Sequence, residues 1–256
     1  MELENKLKIE NFDKEVLREY DIRGVVGHNI NQNTAYTIGR TFGYTVIKRL
    51  QSNTIATGYD GRLTSPDLHQ ALCEGLKDAG AKVINIGMGP TPMTYFAHYH
   101  LEADAVIMVT GSHNPSEYNG FKMVLAKHSF YAEDIQSLQK IIDQASIKSA
   151  QGEIINKDIK LDYTKRLLQN INLNKKIKIA WDIGNGAMGA VIKEITDNLK
   201  NSENILINEK VDGNFPNHHP DPTVPDNMEQ LIKAVQDNHC DIGLAFDGDG
   251  DRLGVV

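Results

Sequence analysis

Two short apolar runs in this chain are each followed at once by small and polar residues. The run over 105–109 ends in Thr110-Gly111-Ser112-His113-Asn114-Pro115, and the run over 242–246 ends in Asp247-Gly248-Asp249-Gly250-Asp251-Arg252. Apolar runs of this length that are bounded by turn residues predict buried strands. Since ligands bind beside the strand ends of open α/β sheets, both clusters are candidate functional loops.

Helical and strand patterns alternate along the rest of the chain. Apolar residues recur at helical spacing over 33–50 and 65–79, whereas 54–58 and 82–86 have the composition of strands. Asn33 is the expected N-cap of the first helix. This alternation predicts an α/β protein.

A polar segment divides the chain into two parts of ordinary domain size. Residues 146–158 are mixed in charge and show no periodicity, which predicts a linker. We therefore expect one domain over 1–150 and a second over 151–256, each long enough to have its own core.

The three aspartates after the second run form a candidate metal site. Spaced at i, i+2 and i+4 with glycines between them, they can converge on one cation, and oxygen ligands favour Mg²⁺ over zinc. Without a cation, each pair at about 4 Å would repel by several kcal/mol at an effective dielectric constant of about 20. A solvated acidic turn is the alternative. An EF-hand is excluded because Arg252 stands where that loop requires glycine.

Lys122 is expected to lie near Ser112. The Asn119-Gly120 pair is typical of a tight turn, which would return the chain into a strand over 121–125. A lysine placed among other cations would have a lowered pKa, which suits acid–base catalysis. A lysine on the solvent face of the strand is the alternative.

Composition narrows the class of protein. The 256 residues are 40% hydrophobic and 24% charged, as in soluble globular proteins, and the net charge of −7 argues against a nucleic-acid-binding surface. We expect no membrane association, since no apolar run approaches the ~20 residues of a membrane span. Cys73 and Cys240 are far apart and predict reduced thiols, so we expect a cytoplasmic protein.

The motifs, in this order, resemble the α-D-phosphohexomutase superfamily, and within it the bacterial phosphomannomutase/phosphoglucomutase branch. The resemblance begins at Glu19 and includes four further motifs: Asp60-Gly61-Arg62, Pro90-Thr91-Pro92, Tyr118-Asn119-Gly120-Phe121-Lys122 and Asp212-Gly213-Asn214-Phe215-Pro216. It implies two α/β/α sandwich domains with mixed sheets, the first two of the family's four domains. The first would carry the phosphoserine loop and the second the magnesium-binding loop. Tyr59 departs from the family, whose members usually have arginine there.

The resemblance also implies an activity, the reversible transfer of phosphate between C1 and C6 of mannose or glucose phosphates. Ser112 would be carried as phosphoserine, and hexose 1,6-bisphosphate would be the intermediate and activator. The implied catalytic residues are Ser112, Lys122, Arg23 and His113, and those that position phosphate are Asn114 and Arg252. One Mg²⁺ per chain would be bound by Asp247, Asp249, Asp251 and the phosphorylated Ser112.

Several alternatives remain open at the level of the sequence. Family members continue into a third domain that selects the sugar and a fourth that binds the non-reacting phosphate, whereas this sequence ends at Val256, near the end of the second domain. Because remote binding drives the reacting groups into place, we expect the chain by itself to be a poor or inactive mutase. It could instead bind without catalysis and pair with a separately encoded C-terminal half, or act as a weak sugar phosphatase. A nucleotide-dependent enzyme is the last alternative, since Gly184-Asn185-Gly186-Ala187-Met188-Gly189 matches G-x-G-x-x-G, although the family uses this turn without a nucleotide.

Overall fold

The computed structural model describes residues 7–143 and 148–256, and these form two mixed β-sheets. The strands of the first sheet are β1 (Ile22–Val25), β2 (Thr54–Tyr59), β3 (Lys82–Met88), β4 (Ala105–Val109), β5 (Tyr118–Leu125), β6 (His128–Ser129) and β7 (Glu153–Asn156). Their order is β1-β5-β4-β2-β3-β7, with β6 beside β5. β4, β2, β3 and β7 run parallel, while β5 is antiparallel to both β4 and β1.

Helices cover both faces of the first sheet. They are α1 (Gln32–Leu50), α2 (Ser65–Asp78), α3 (Thr91–His100) and α4 (Glu133–Asp143). Alternate residues of a strand point to opposite faces, so Ile107 packs with α1 and α2 whereas Val106 packs on the side of α3. The central strands are therefore buried on both faces, as their uninterrupted apolar runs predicted.

The second sheet has the same three-layered arrangement. Its strands, in the order β11-β10-β8-β9, are β8 (Ile177–Asp182), β9 (Ser202–Ile207), β10 (Ile242–Phe246) and β11 (Leu253–Val255). The helices are α5 (Lys160–Leu168), α6 (Ile192–Asn198) and α7 (Glu229–Asn238), with 3-10 turns at Ala187–Ala190 and Pro225–Met228. Trp181 lies in the core on the side of α5 and α6, and its neighbour Ala180 packs under α7. The predicted α/β class with mixed sheets is confirmed.

One apolar cluster joins the two sheets. It contains Met93 and Ala97 of α3, Tyr163 of α5, and Ile179 and Trp181 of β8. The side of the first sheet that α3 covers is thus continuous with the core of the second sheet. This shared core fixes how the strand ends of the two sheets face each other.

The structure corrects three local predictions. Asn31, not Asn33, caps α1, because its side chain accepts the amide N–H groups of Asn33 and Thr34. The segment 146–158, predicted as a linker, contains β7, which extends the first sheet. Its first two residues, 146–147, lie outside the described part. Asn119-Gly120 is not a turn but belongs to β5, opposite β1.

No helix within residues 7–143 and 148–256 combines the length and the apolar character that crossing a membrane requires.

Candidate active site

The loop after β4 carries Ser112 in an unusual backbone conformation. Its φ of +51° lies in the left-handed region, which costs a non-glycine residue about 1 kcal/mol or more. The Ser112 amide donates to the Thr110 hydroxyl at 2.8 Å. That hydroxyl and the Gly111 amide donate to Asp60 Oδ2 at 2.8 and 3.1 Å. Asp60, which has no role in the sequence-based prediction, thus anchors the serine loop from the end of β2.

The loop after β10 brings the three predicted aspartates together. One carboxylate oxygen from each of Asp247, Asp249 and Asp251 lies within 4.8 Å of the others, and the first two residues are buried. The Asp247 Oδ1 atom accepts the amides of Asp251 and Arg252 at 3.0 and 3.1 Å, so the loop curls around this carboxylate.

Both loops meet at the boundary between the two sheets. The Ser112 hydroxyl donates to Asp247 Oδ2 at 3.2 Å, and Gly248 lies so close that a Cβ there would stand 2.4 Å from the Ser112 carbonyl oxygen. Ser112 is 2% exposed. The predicted nucleophile and the predicted metal ligands, 135 residues apart in sequence, therefore form one site.

The electrostatics of the acidic cluster are those of an unbalanced negative site. Burial, together with the carboxylates of Asp249 and Asp251, raises the pKa of Asp247 to about 8. Burial alone would also raise the pKa of Asp249, but the Lys122 ammonium, together with hydrogen bonds from Lys122 and Thr91, holds this pKa below its ordinary value. The cluster therefore favours a bound cation.

The donor set fits Mg²⁺. The three side chains offer oxygen ligands alone, as this hard cation prefers. Asp249 Oδ1 is buried and accepts no hydrogen bond from the described residues. Asp249 Oδ2, in contrast, accepts from the Thr91 hydroxyl and from Lys122 Nζ. A buried carboxylate oxygen without a donor is unfavourable by itself, and a cation bound by the three aspartates would satisfy it.

Lys122 lies at this cluster, but its electrostatics contradict the prediction. Its Nζ atom is 2.8 Å from Asp249 Oδ2 and 2.6 Å from Asp251 Oδ2. Burial by itself would lower the pKa of Lys122, yet these two carboxylates reverse the direction and raise it. The expected lowered pKa was wrong because the immediate neighbours are anions rather than cations.

His113 and Asn114, the two residues that follow the predicted nucleophile, make different contacts. His113 Nδ1 lies 3.4 Å from Ser112 Oγ, and burial and the Arg252 cation lower the pKa of His113, which favours a neutral imidazole. The Asn114 side chain instead donates to the Gly111 carbonyl at 2.8 Å and braces the loop.

A cavity of 530 Å³ opens beside the acidic cluster. Its wall includes Lys122 and Asp251 together with Arg23, Arg252 and Tyr20. Arg23 is paired with Asp21 and reaches the cavity from β1. Lys127 also lines the cavity, so four cationic side chains stand against two carboxylates, those of Asp21 and Asp251. This excess of positive charge suits an anionic ligand such as a phosphate ester.

The glycine turn after β8 packs against residues 247–252, the acidic loop that carries the three aspartates. The Ala187 amide donates to the Gly248 carbonyl at 2.9 Å, and a Cβ on Gly186 would stand 2.8 Å from that same oxygen. In a nucleotide site, amides of this turn would face a pyrophosphate. Here the turn supports the aspartates, which argues against the nucleotide-dependent alternative.

Two residues at the site escaped sequence reasoning although they belong to recognised motifs. The Thr91 amide donates to the Asp249 carbonyl oxygen at 2.8 Å, so the first residue of α3 holds both the backbone and the side chain of that aspartate. Asp60 is the other. Their motifs marked them, but only the fold shows what they contact.

Comparison with known proteins gives a consistent family. The family model of phosphoglucomutase/phosphomannomutase alpha/beta/alpha domain I matches residues 14–149, and that of domain II matches 161–256. A Pseudomonas aeruginosa protein named phosphomannomutase/phosphoglucomutase is 45% identical over 241 residues, which are 94% of this chain and 52% of that protein. A Neisseria gonorrhoeae phosphoglucomutase is 43% identical over 245 residues, covering 95% of this chain and 53% of its own length.

A solved structure agrees. The phosphoglucomutase/phosphomannomutase family protein of Burkholderia thailandensis superimposes with a TM-score of 0.90 at 40% identity, over 96% of this chain and 55% of that one. The chain thus spans about half the length of the relatives that it matches. It belongs to the phosphoglucomutase/phosphomannomutase family, and its residues match domains I and II.

Proposed function

We propose that these residues form the phosphoryl-transfer centre of a mutase that interconverts hexose 1-phosphates and 6-phosphates of mannose or glucose. The observation that carries the proposal is the 3.2 Å contact between the Ser112 hydroxyl and Asp247, which joins a candidate nucleophile to a candidate metal site. Two relatives of similar coverage are named phosphomannomutase/phosphoglucomutase and phosphoglucomutase. A hexose 1,6-bisphosphate is the proposed intermediate and activator.

The proposed ligands of Mg²⁺ are Asp247, Asp249, Asp251 and an oxygen of phosphorylated Ser112. When bound, Mg²⁺ would supply positive charge that neutralises the carboxylates and a transferring phosphoryl group. Arg23 and Arg252, on the cavity wall, would bind phosphate oxygens, because guanidinium groups stay charged and donate paired hydrogen bonds. Asn114 would keep the serine loop in shape.

The protonation states suit one direction of transfer. When Ser112 attacks a sugar bisphosphate, a bond forms between Oγ and phosphorus while the bond from phosphorus to the sugar oxygen breaks. Neutral His113, 3.4 Å from Oγ, would accept the serine proton. Protonated Lys122 would give a proton to the departing sugar oxygen. In the reverse step the two residues exchange roles.

Sugar selection and binding of the second phosphate are proposed to depend on domains beyond I and II, in the same protein or in a partner chain. In that arrangement the chain studied by itself turns over slowly. Release of inorganic phosphate from hexose 1-phosphate, dependent on Ser112, would instead favour the phosphatase alternative.

Intact-protein mass spectrometry tests the proposed nucleophile. The chain is incubated with glucose 1,6-bisphosphate and Mg²⁺, with Ser112→Ala as the matched variant. We expect one covalent phosphoryl group on the wild type and none on the variant. Equal labelling of both proteins, or labelling of neither, would contradict the proposal.

A further inference from the structure

The guanidinium of Arg62 lies buried at the centre of the serine loop. Its Nη2 atom donates to the carbonyl oxygens of Ser112 at 2.8 Å and Asn114 at 2.6 Å. Its Nη1 atom donates to those of Pro115 at 2.6 Å and Tyr118 at 3.1 Å. One side chain therefore holds four carbonyl groups of the segment that carries the nucleophile.

The partner of Arg62 holds the other side of the same backbone. Asp60 Oδ2 accepts Nε of Arg62 at 3.3 Å and also accepts the Gly111 amide and the Thr110 hydroxyl. Both members of this ion pair have side chains that are 1% exposed. The loop thus has amides tied to a buried acid and carbonyls tied to a buried base.

This arrangement fixes the direction of the Ser112 side chain. A residue at positive φ relaxes readily unless its surroundings hold it. The Arg62 hydrogen bond to the Ser112 carbonyl provides that restraint on one side, and Gly248 of the acidic loop contacts the same carbonyl on the other. Gly111 leaves the necessary space, since a Cβ there would stand 2.4 Å from Arg62 Cζ.

The second domain covers Arg62. The Phe215 ring centre is 5.3 Å from Arg62 Cζ, and a Cβ on Gly213 would stand 2.8 Å from Arg62 Cα. A Cβ on Gly61 would stand 2.4 Å from Val211 Cγ1. Segment 211–215 therefore seals the arginine against water, which strengthens its hydrogen bonds to the loop.

We propose that Arg62 is a positioning residue of the phosphoryl-transfer centre. Its hydrogen bonds to four loop carbonyls keep the Ser112 hydroxyl directed at Asp247. The proposal rests on the proposed role of Ser112 as the nucleophile. Because Phe215 of the second domain covers Arg62, these hydrogen bonds depend on the packing of the second domain against the first. A lysine keeps the charge but has no planar fork of five donors, so it cannot make the same set of bonds.

Arg62→Lys in the full chain tests the proposal, with Arg40→Lys as the matched control. Arg40 is also buried in the first domain, but it lies in α1, where it donates to the Tyr36 hydroxyl. The first readout is hydrogen–deuterium exchange. We expect amides within 111–118 to exchange at least about tenfold faster in Arg62→Lys, with the β2 and β4 amides unchanged and no change at the loop in Arg40→Lys.

The second readout is the rate of phosphoryl uptake by Ser112 from glucose 1,6-bisphosphate under single-turnover conditions. Misplacement of the hydroxyl by about 1 Å should slow uptake roughly 100-fold, while the bisphosphate concentration at half-maximal rate stays within about twofold. If Arg62→Lys does not fold, Phe215→Leu serves instead: it keeps an apolar cover, and we expect slowing of about three- to tenfold.

The proposal would be overturned if the amides within 111–118 exchanged at the wild-type rate in Arg62→Lys. Faster exchange spread evenly over the first domain would overturn it as well. If wild type takes up no phosphoryl group, the proposed nucleophile fails, while the exchange comparison still decides whether Arg62 holds the loop.

Discussion

Lys122 is the residue whose surroundings are most informative about the acidic cluster. It supplies the cation that contacts Asp249 and Asp251 in this structure, at the place where a divalent ion is proposed to bind. Removal of one member of a buried ion pair is costly because the other remains charged. The lysine and the metal are therefore expected to stabilise the same carboxylates.

In the absence of metal, Lys122→Met should lower the free energy of unfolding by about 3 kcal/mol. Mg²⁺ at about 100 times its Kd should add roughly 2.7 kcal/mol to the wild type, and more to the variant because its carboxylates lack the ammonium. Urea denaturation with EDTA or Mg²⁺ measures both quantities. In Asp249→Asn the increment from Mg²⁺ should disappear; its persistence would contradict the proposed ligand set.

His218 gives a pH-dependent test in the second domain. Its Nε2 atom lies 2.9 Å from the buried Asp182 Oδ2, and this hydrogen bond raises the pKa of His218 although burial opposes it. A raised histidine pKa gives stability that is complete below about pH 6.5 and is lost as the pH rises through the folded-state pKa.

His218→Gln should therefore cost about 1–2 kcal/mol of unfolding free energy at pH 5.5 and clearly less at pH 8.5. Denaturation series at both pH values measure the difference. His28→Gln, at an exposed turn position, is the control and should show no such trend. A loss from His218→Gln that grows with pH would contradict the assigned ion pair.

At the scale of elements, the pairing of β5 with β1 positions Lys122, which lies in β5, and Arg23, which lies in β1. In register, Gly120 lies opposite Arg23 in β1, and a Cβ on Gly120 would stand 2.2 Å from the Ile22 carbonyl oxygen. The close approach of the two strands therefore requires glycine at this position.

Gly120→Ala should destabilise the chain by about 2–4 kcal/mol, since β1 must move away, and should increase amide exchange in β1. Gly27→Ala is the control: its φ is +83°, and a Cβ there meets nothing within 4 Å, so we expect only the backbone cost of about 1 kcal/mol. Equal effects of the two changes would contradict the steric account.

Sequence patterns predicted the strands before both functional loops, because short apolar runs with turn residues are local signals. They failed at Asn119-Gly120, since the Asn119 side-chain amide donates to the Ser65 hydroxyl 54 residues away and pairing with β1 holds the segment extended. The sign of the Lys122 pKa shift was also beyond local reasoning. The carboxylates that set it are 127 and 129 residues distant.

At the scale of the whole molecule, the division into domains I and II remains a proposal, placed near residue 150. β7 extends the first sheet beyond that point, and the shared apolar cluster links α3 to α5 and β8. Trp181, the one tryptophan in the sequence, lies in this cluster and reports on it. Such a core predicts that both sheets unfold together.

Tryptophan fluorescence and far-UV circular dichroism should therefore give coincident urea transitions for the wild type. Tyr163→Ala should cost about 3–5 kcal/mol, because Tyr163 is a buried aromatic residue of the shared cluster, and should separate the two transitions. Tyr131→Ala, at an exposed position, is the control. Two separate transitions in the wild type would contradict a common core.

That common core also limits how a bisphosphate could reverse its orientation in the proposed reaction. Parting the two sheets would expose the apolar cluster to water, at roughly 25 cal/mol for each Å² uncovered. We therefore expect the bisphosphate either to rotate while the two sheets stay packed together, or to dissociate and bind again. Trapping experiments with isotopically labelled bisphosphate would distinguish rotation in place from escape into solvent.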